Sequence, residues 1–86
     1  MAKVTIRYWA AAKEAAGTSE EFVEADTLAS ALTTVLDGRS ANDRLRQVFV
    51  RASFLVNALP VRRDAHEETV LEDGAIIEVL PPFAGG

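Results

Sequence analysis

The chain has 86 residues, 49% apolar and 26% charged, with a formal charge of −4 and no cysteine. That length gives room for one folded core and not two, and the composition is globular rather than disordered. The acidic balance excludes a typical nucleic-acid binder, whose footprint is basic, and the missing thiols exclude disulfides, thiolate metal sites and a thiol nucleophile. No apolar run approaches the ~20 residues of a membrane span. Met1–Val4 runs straight into alternating sequence, without a signal segment. The expectation is a cytoplasmic protein that engages neither membrane nor nucleic acid.

In chain order, residues 3–9 (KVTIRYW) set Val4, Ile6 and Tyr8 on one face and Lys3, Thr5 and Arg7 on the other. That period of two, rich in β-branched residues, predicts a strand. AAAKEAAG is an alanine-rich helix ending on Gly17, the usual left-handed stop. Glu20–Ala25 (EEFVEA) is a second strand, hairpinned against the first through a long connection that carries the helical turn. The Thr27 hydroxyl can accept first-turn amides. Leu28, Ala31, Leu32, Val35 and Leu36 then form one apolar stripe, a main helix that Asp37-Gly38 stops. Leu45, Val48 and Phe49 repeat the pattern more weakly over residues 41–50, a short helix capped by Asn42 or Ser40. SFLVNALPV reads as a strand, a turn at Ala58-Leu59 and a short returning strand. Pro60, with no amide to give, must stand at an edge or a turn. After a charged loop from Arg62 to Glu68, Asp73-Gly74 turns the chain into a last strand, AIIEVL.

This order predicts an α+β fold: a mixed four- to five-stranded sheet with one main helix across a face and a short second helix. The first and last strands can lie side by side, parallel, at the sheet centre. Residues 1–80 form the domain and residues 81–86 an extended tail. In the last strand Ala75, Ile77 and Val79 face the helix, while Ile76, Glu78 and Leu80 face away. Leu55 shares that outer side if Phe54 and Val56 are the core pair. A patch of Leu80, Leu55, Leu59 and Phe83 would be a partner surface; the alternative is a merely mixed far side.

Side chains that could do chemistry alone are few. His66 sits among Asp64, Glu67 and Glu68 and reads as a solvated loop histidine rather than a metal ligand. Glu20-Glu21 and Glu67-Glu68 are adjacent, so on a strand their carboxylates diverge and do not form a catalytic pair. Arg39, Arg44, Arg46, Arg51, Arg62 and Arg63 crowd the middle of the chain. The plain reading is a solvated surface; the alternative is a docking surface for an acidic partner. The protein is therefore expected to have no catalytic residues of its own.

The end, PPFAGG, is different. Pro81-Pro82 fixes the backbone as it leaves the sheet and favours extended geometry just before it. Gly85-Gly86 makes a tip with no side chains, slim enough to thread a channel. The chemistry available there is the α-carboxylate of Gly86. It is inert to nucleophiles until its oxygen becomes a leaving group, as in an acyl-adenylate made from ATP.

IRYWAAAKEAAGTSEEFVE, VNALPV and LEDGAIIEVLPPFAGG together resemble the MoaD/ThiS family of ubiquitin-like sulfur carriers, and within it the molybdopterin synthase small subunits. The resemblance spans essentially the whole chain and implies a β-grasp fold. It further implies that an E1-like enzyme uses ATP to adenylate Gly86, and that sulfur from a sulfurtransferase or cysteine desulfurase converts it to a thiocarboxylate. The tail would then enter the synthase large subunit. Carried over, Gly86 bears the sulfur and Gly85 gives clearance, with Leu80, Pro81, Pro82, Phe83, Ala84 and Leu59 as partner contacts. No tightly bound cofactor and no metal are implied. AAAKEAAG favours the molybdopterin role over the shorter thiazole carriers. Other sulfur sinks (thiazole, cysteine, transfer RNA) remain alternatives, as does a protein modifier joined through Gly86; the chain's own lysines are Lys3 and Lys13.

Overall fold

Val4, Ile6 and Tyr8 alternate with exposed or half-exposed residues along β1 (Ala2–Tyr8), and the computed structural model, which describes residues 1–82, buries all three to 2% exposure or less. The chain then turns sharply at Ala10 and enters α1 (Ala11–Ala16), which Gly17 ends in the left-handed conformation at φ 79°. β2 (Glu20–Ala25) returns antiparallel to β1, in register from Ala2↔Ala25 to Arg7↔Glu20. The strand thus ends one residue earlier than the alternation suggests: Trp9 still donates its amide to Val79, but Ala10 leaves the ladder.

α2 (Leu28–Asp37) starts on a reciprocal capping box. Ser30 donates its amide to the Thr27 hydroxyl at 3.1 Å, and Thr27 donates its amide to the Ser30 hydroxyl at 3.0 Å. Its stripe of Leu28, Ala31, Leu32 and Val35 is buried against the sheet. α3 (Arg44–Arg51) is capped by Asp43, whose carboxylate accepts from the Leu45 amide at 2.9 Å, and not by Asn42 or Ser40. Ser40 is instead the start of a turn closed by the Asp43 amide. That amide contact from Leu45, with the Arg39 guanidinium close by, holds the Asp43 carboxyl below the usual carboxylate range.

β3 (Ser53–Val56) and β4 (Leu59–Val61) form a hairpin whose turn is Asn57-Ala58, one residue earlier than the sequence suggests. Both turn residues have positive φ, 50° and 69°, as a turn matched to strand twist requires. Asn57 tolerates this and also clasps the sheet: its side-chain oxygen accepts from the Ile76 amide at 3.0 Å, and its own amide donates to Ile76 at 2.8 Å. Ala58 gains nothing comparable. Ala58→Gly is expected to raise stability by about 1 kcal/mol, read as a higher denaturant midpoint at unchanged slope; an unchanged midpoint would show that the turn is unstrained.

β5 (Ile76–Leu80) lies parallel to β1 and antiparallel to β3, giving the order β2-β1-β5-β3-β4. Asp73 and Gly74 set that register, because Lys3 donates its amide to the Asp73 carboxylate at 2.8 Å and accepts from the Gly74 amide at 2.9 Å. Pro60 stands on β4, an edge strand, as its missing amide demands. The result is a ubiquitin-like β-grasp: a five-stranded mixed sheet with α2 on one face and α1 and α3 beside it. Ile6, Leu28, Leu45, Ile77 and Val79 are its fully buried centre, each contributing roughly 2 kcal/mol of apolar transfer.

His66 is not a solvated loop residue. It follows a short 3-10 turn (Arg63–Ala65) and sets its ring edge-on to Phe54 at 5.1 Å, with Nε2 buried and unbonded. Burial and the nearby Arg63 charge push its pKa below the ordinary 6.5. The folded state therefore resists the proton that the unfolded chain accepts. Stability falls as pH drops through 6.5 toward the folded-state pKa and levels off below it. Melting curves between pH 7.5 and 5 should show this loss, and His66→Leu should flatten it.

Candidate functional site: the outer sheet face and the root of the tail

Strand registers decide what the uncovered face of the sheet presents. Thr5 pairs with Phe22 on one side and Ile76 on the other, so these three share the outer face. Arg7 pairs with Glu20 and Glu78, and Glu78 pairs with Leu55, which pairs with Pro60. The face is thus apolar at its ends and crossed by a charged row. Phe22 is 76% exposed and Trp9 44%. Trp9 donates its indole N–H to Glu78 at 3.2 Å beneath the Arg7 guanidinium, 5.7 Å from the ring centre. Leu80 and Leu55 are half-buried on this face, as their alternation predicts.

Leu59 does not join them. Its cross-strand partner is Val56, which places it on the helix side of the sheet, 69% exposed at the edge. Phe83, Ala84, Gly85 and Gly86 fall outside the described residues. Pro81 and Pro82 are described, and they lie beside Ala11, Val48, Arg44 and Arg51 at the junction of α1 and α3. The tail therefore leaves the sheet from β5 between the outer face and that helical shoulder.

The shoulder is held rigid by arginines whose role the sequence does not announce. Arg39 donates to the last carbonyls of α1, Ala15 at 3.3 Å and Ala16 at 2.7 Å, and to Asp43 at 3.2 Å. Arg46 donates to Leu36 near the end of α2 at 2.8 Å, and to Ser40 and Arg39. Arg63 donates to Val50 and Arg51 at the end of α3, at 2.8 and 3.3 Å. Arg39 and Arg63 supply donors to carbonyls that a helix end leaves without partners, Arg46 adds a further donor to the Leu36 carbonyl, and each places positive charge at the negative end of a dipole. Half of the arginine crowd is therefore structural, neither free surface nor docking patch.

Next to this network the Tyr8 hydroxyl, buried behind β2, donates to Glu21 at 2.6 Å. Burial and that carboxylate hold the phenol well above its ordinary range, so it stays a donor. Among the described residues no group of histidine, aspartate and glutamate could hold a metal ion, and no helix is long and apolar enough to cross a membrane.

The profile of the ThiS family matches residues 6–86. No curated protein matches the sequence. Among solved structures, small archaeal modifier protein 1 from Methanosarcina acetivorans is similar at a TM-score of 0.82 and 27% identity, covering 100% of this chain and 98% of that one. Subunit 1 in the complex of subunits 1 and 2 of molybdopterin-converting factor from Helicobacter pylori is similar at 0.70 and 24%, covering 98% and 99%. The thiamine biosynthesis protein ThiS from Geobacter metallireducens is similar at 0.57 and 18%, covering 98% and 99%. With a β-grasp domain that ends its central strand on a proline pair and a family match running through the terminal glycines, the chain belongs to the ThiS family of ubiquitin-like sulfur carriers and modifiers.

Proposed function

We propose that this protein is a cytoplasmic sulfur carrier, the small subunit of a molybdopterin synthase, and that the carboxyl group of Gly86 is its working group. The observation that carries the reading is a ThiS match that extends to Gly86 itself, in a chain with no cysteine to hold sulfur as a persulfide. An E1-like enzyme joins the Gly86 carboxylate to AMP from ATP and releases pyrophosphate. A sulfurtransferase or cysteine desulfurase then supplies sulfur as a persulfide, whose terminal sulfur displaces AMP to give an acyl disulfide. A second thiol of the charging enzymes attacks the other sulfur, is oxidised to a disulfide with it, and releases the thiocarboxylate. No cofactor stays on the carrier. Gly85 keeps the approach free of a Cβ, and the synthase large subunit receives the tail. The outer sheet face with Leu80, Leu55 and Trp9, together with Pro81 and Pro82 at the root of the tail, is the surface offered to that subunit, and Phe83 and Ala84 are proposed as further contacts. The Helicobacter neighbour, solved as a complex of subunits 1 and 2, supports such a pairing.

The test is the intact mass of the protein isolated together with its adenylating enzyme and sulfur source. The expected product is heavier than the parent by the difference between one sulfur and one oxygen, and the change maps to the C-terminal peptide. An unchanged mass after complete reaction would refute the carrier reading. A second reading is favoured by the 27% identity to an archaeal modifier protein: Gly86 joined to lysines of target proteins through the same adenylate. That reading predicts conjugates of higher mass, which persist after thiol treatment and disappear with Gly86.

A further inference from the structure

The arginines of the middle segment divide by what they touch. Arg39, Arg46 and Arg63 are committed to helix ends, and Arg62 pairs with Asp64 at 2.9 Å. The guanidinia of Arg44 and Arg51 make no hydrogen bond or ion pair among the described residues. Both are exposed, and both rim a groove of about 450 Å³ whose floor includes Ala11, Val48, Pro81 and Pro82. Seven residues apart on α3, they stand two turns from each other on one side of the helix, about 10 Å along its axis. The two uncommitted charges of the crowd therefore flank the point where the tail leaves the fold.

We propose that Arg44 and Arg51 form a collar that docks an acidic, extended segment of the enzyme that charges the tail. The proposal rests on the carrier reading and adds how the charging enzyme finds the right end of the domain. Two cations ~10 Å apart match carboxylates three residues apart on an extended polyproline-II chain, whose three residues per turn put both on one side and whose rise is ~3.1 Å per residue. The backbone between those carboxylates would cross the groove over Val48 and Pro81. Charge complementarity is local by design: the chain carries −4 overall, so an acidic partner is repelled elsewhere and attracted at the collar. Such an arrangement sets orientation and association rate more than final affinity. Both residues sit on the solvent side of α3, away from its buried Leu45 and Phe49, so they can be replaced without touching the core.

The experiment uses the full chain and the adenylating enzyme of the same genome, followed by ATP–pyrophosphate exchange. The double variant Arg44→Glu/Arg51→Glu is expected to raise the KM for the carrier by about ten-fold or more at low salt, with kcat within about two-fold, because rim charges act on encounter. Arg44→Gln/Arg51→Gln should give a smaller rise, and Arg44→Lys/Arg51→Lys should restore most of the activity. Added salt should raise the KM of the parent and narrow its gap to the reversed variant. An unchanged KM in a folded Gln or Glu variant overturns the proposal. So does an equal loss of kcat, or a shift in the carrier's own oligomeric state, which would make the groove a self-contact. Removal of Gly86 is the control: if exchange survives it, the carrier reading fails and the collar with it. If exchange is lost there but KM ignores the arginines, only the collar fails.

Discussion

Removing Gly86 is expected to leave the melting curve of the domain unchanged while cutting adenylation by at least about a hundred-fold. The new terminus would still be a glycine carboxylate, so the loss must come from reach. One residue shorter, the tip falls roughly 3.5 Å short of where the longer chain ends, and displacements of about 1 Å in an enclosed reacting centre already cost on the order of a hundred-fold. The fold is indifferent because the last core residue is Val79, followed by a half-buried Leu80. A residue added after Gly86 should fail for the opposite reason, since it moves the carboxylate past the site and introduces a Cβ. Pyrophosphate exchange with the adenylating enzyme, beside a thermal melt of each variant, separates the two effects. If the shortened and lengthened chains are both charged at the parental rate, the terminus is not the working group.

The second large effect is expected on stability. Arg39→Ala removes the guanidinium that bonds Ala15, Ala16 and Asp43 and lies 4.0 Å from Glu21. Its side chain is 19% exposed, so water replaces those bonds poorly. Charge-assisted hydrogen bonds of this kind contribute about 1.5–3 kcal/mol each to stability, and stranded carbonyls add their own cost. We expect a loss of about 3 kcal/mol, which for a domain of this size lowers the melting temperature by roughly 10–20 °C. Arg39→Lys should recover only part of it, since an ammonium cannot reach two carbonyls and a carboxylate from one plane. A melting temperature within a few degrees of the parent would mean that water serves α1 as well as the guanidinium does. Charging of Gly86 should survive at temperatures where the variant stays folded.

How these residues were legible in the sequence differs by type. Period-two alternation in β1 and β5 and the three-and-four stripe of α2 follow directly from burial, so those elements and their inward faces could be read from order alone. The parallel pairing of β1 with β5 followed from the helix between them. The end of β5 at Leu80 could be read from Pro81-Pro82, which have no amides to give to a ladder.

Leu59 shows where that legibility ends. Moving the hairpin turn from Ala58-Leu59 to Asn57-Ala58 is a shift of one residue, and because strand side chains alternate, one residue carries Leu59 to the other face. The signal that could have fixed it is Asn57, the residue of that stretch best suited to the left-handed turn. The arginine caps and the packing of His66 on Phe54 lie beyond such reading altogether. They join segments distant in sequence, and a guanidinium that seals a helix end has the same local surroundings as one that waves in solvent. The uncommitted pair on α3 could be recognised only after the others had been assigned.

The tail continues a strand that is held on both sides, by β1 and by β3. A pull on the chain end therefore runs along β5 and loads its ladder bonds in shear, all at once, instead of peeling them singly as it would from an edge strand. Were an enzyme to draw the last residues into a narrow passage, as the proposed charging requires, this anchorage would let it hold them against tension without the domain unravelling behind them.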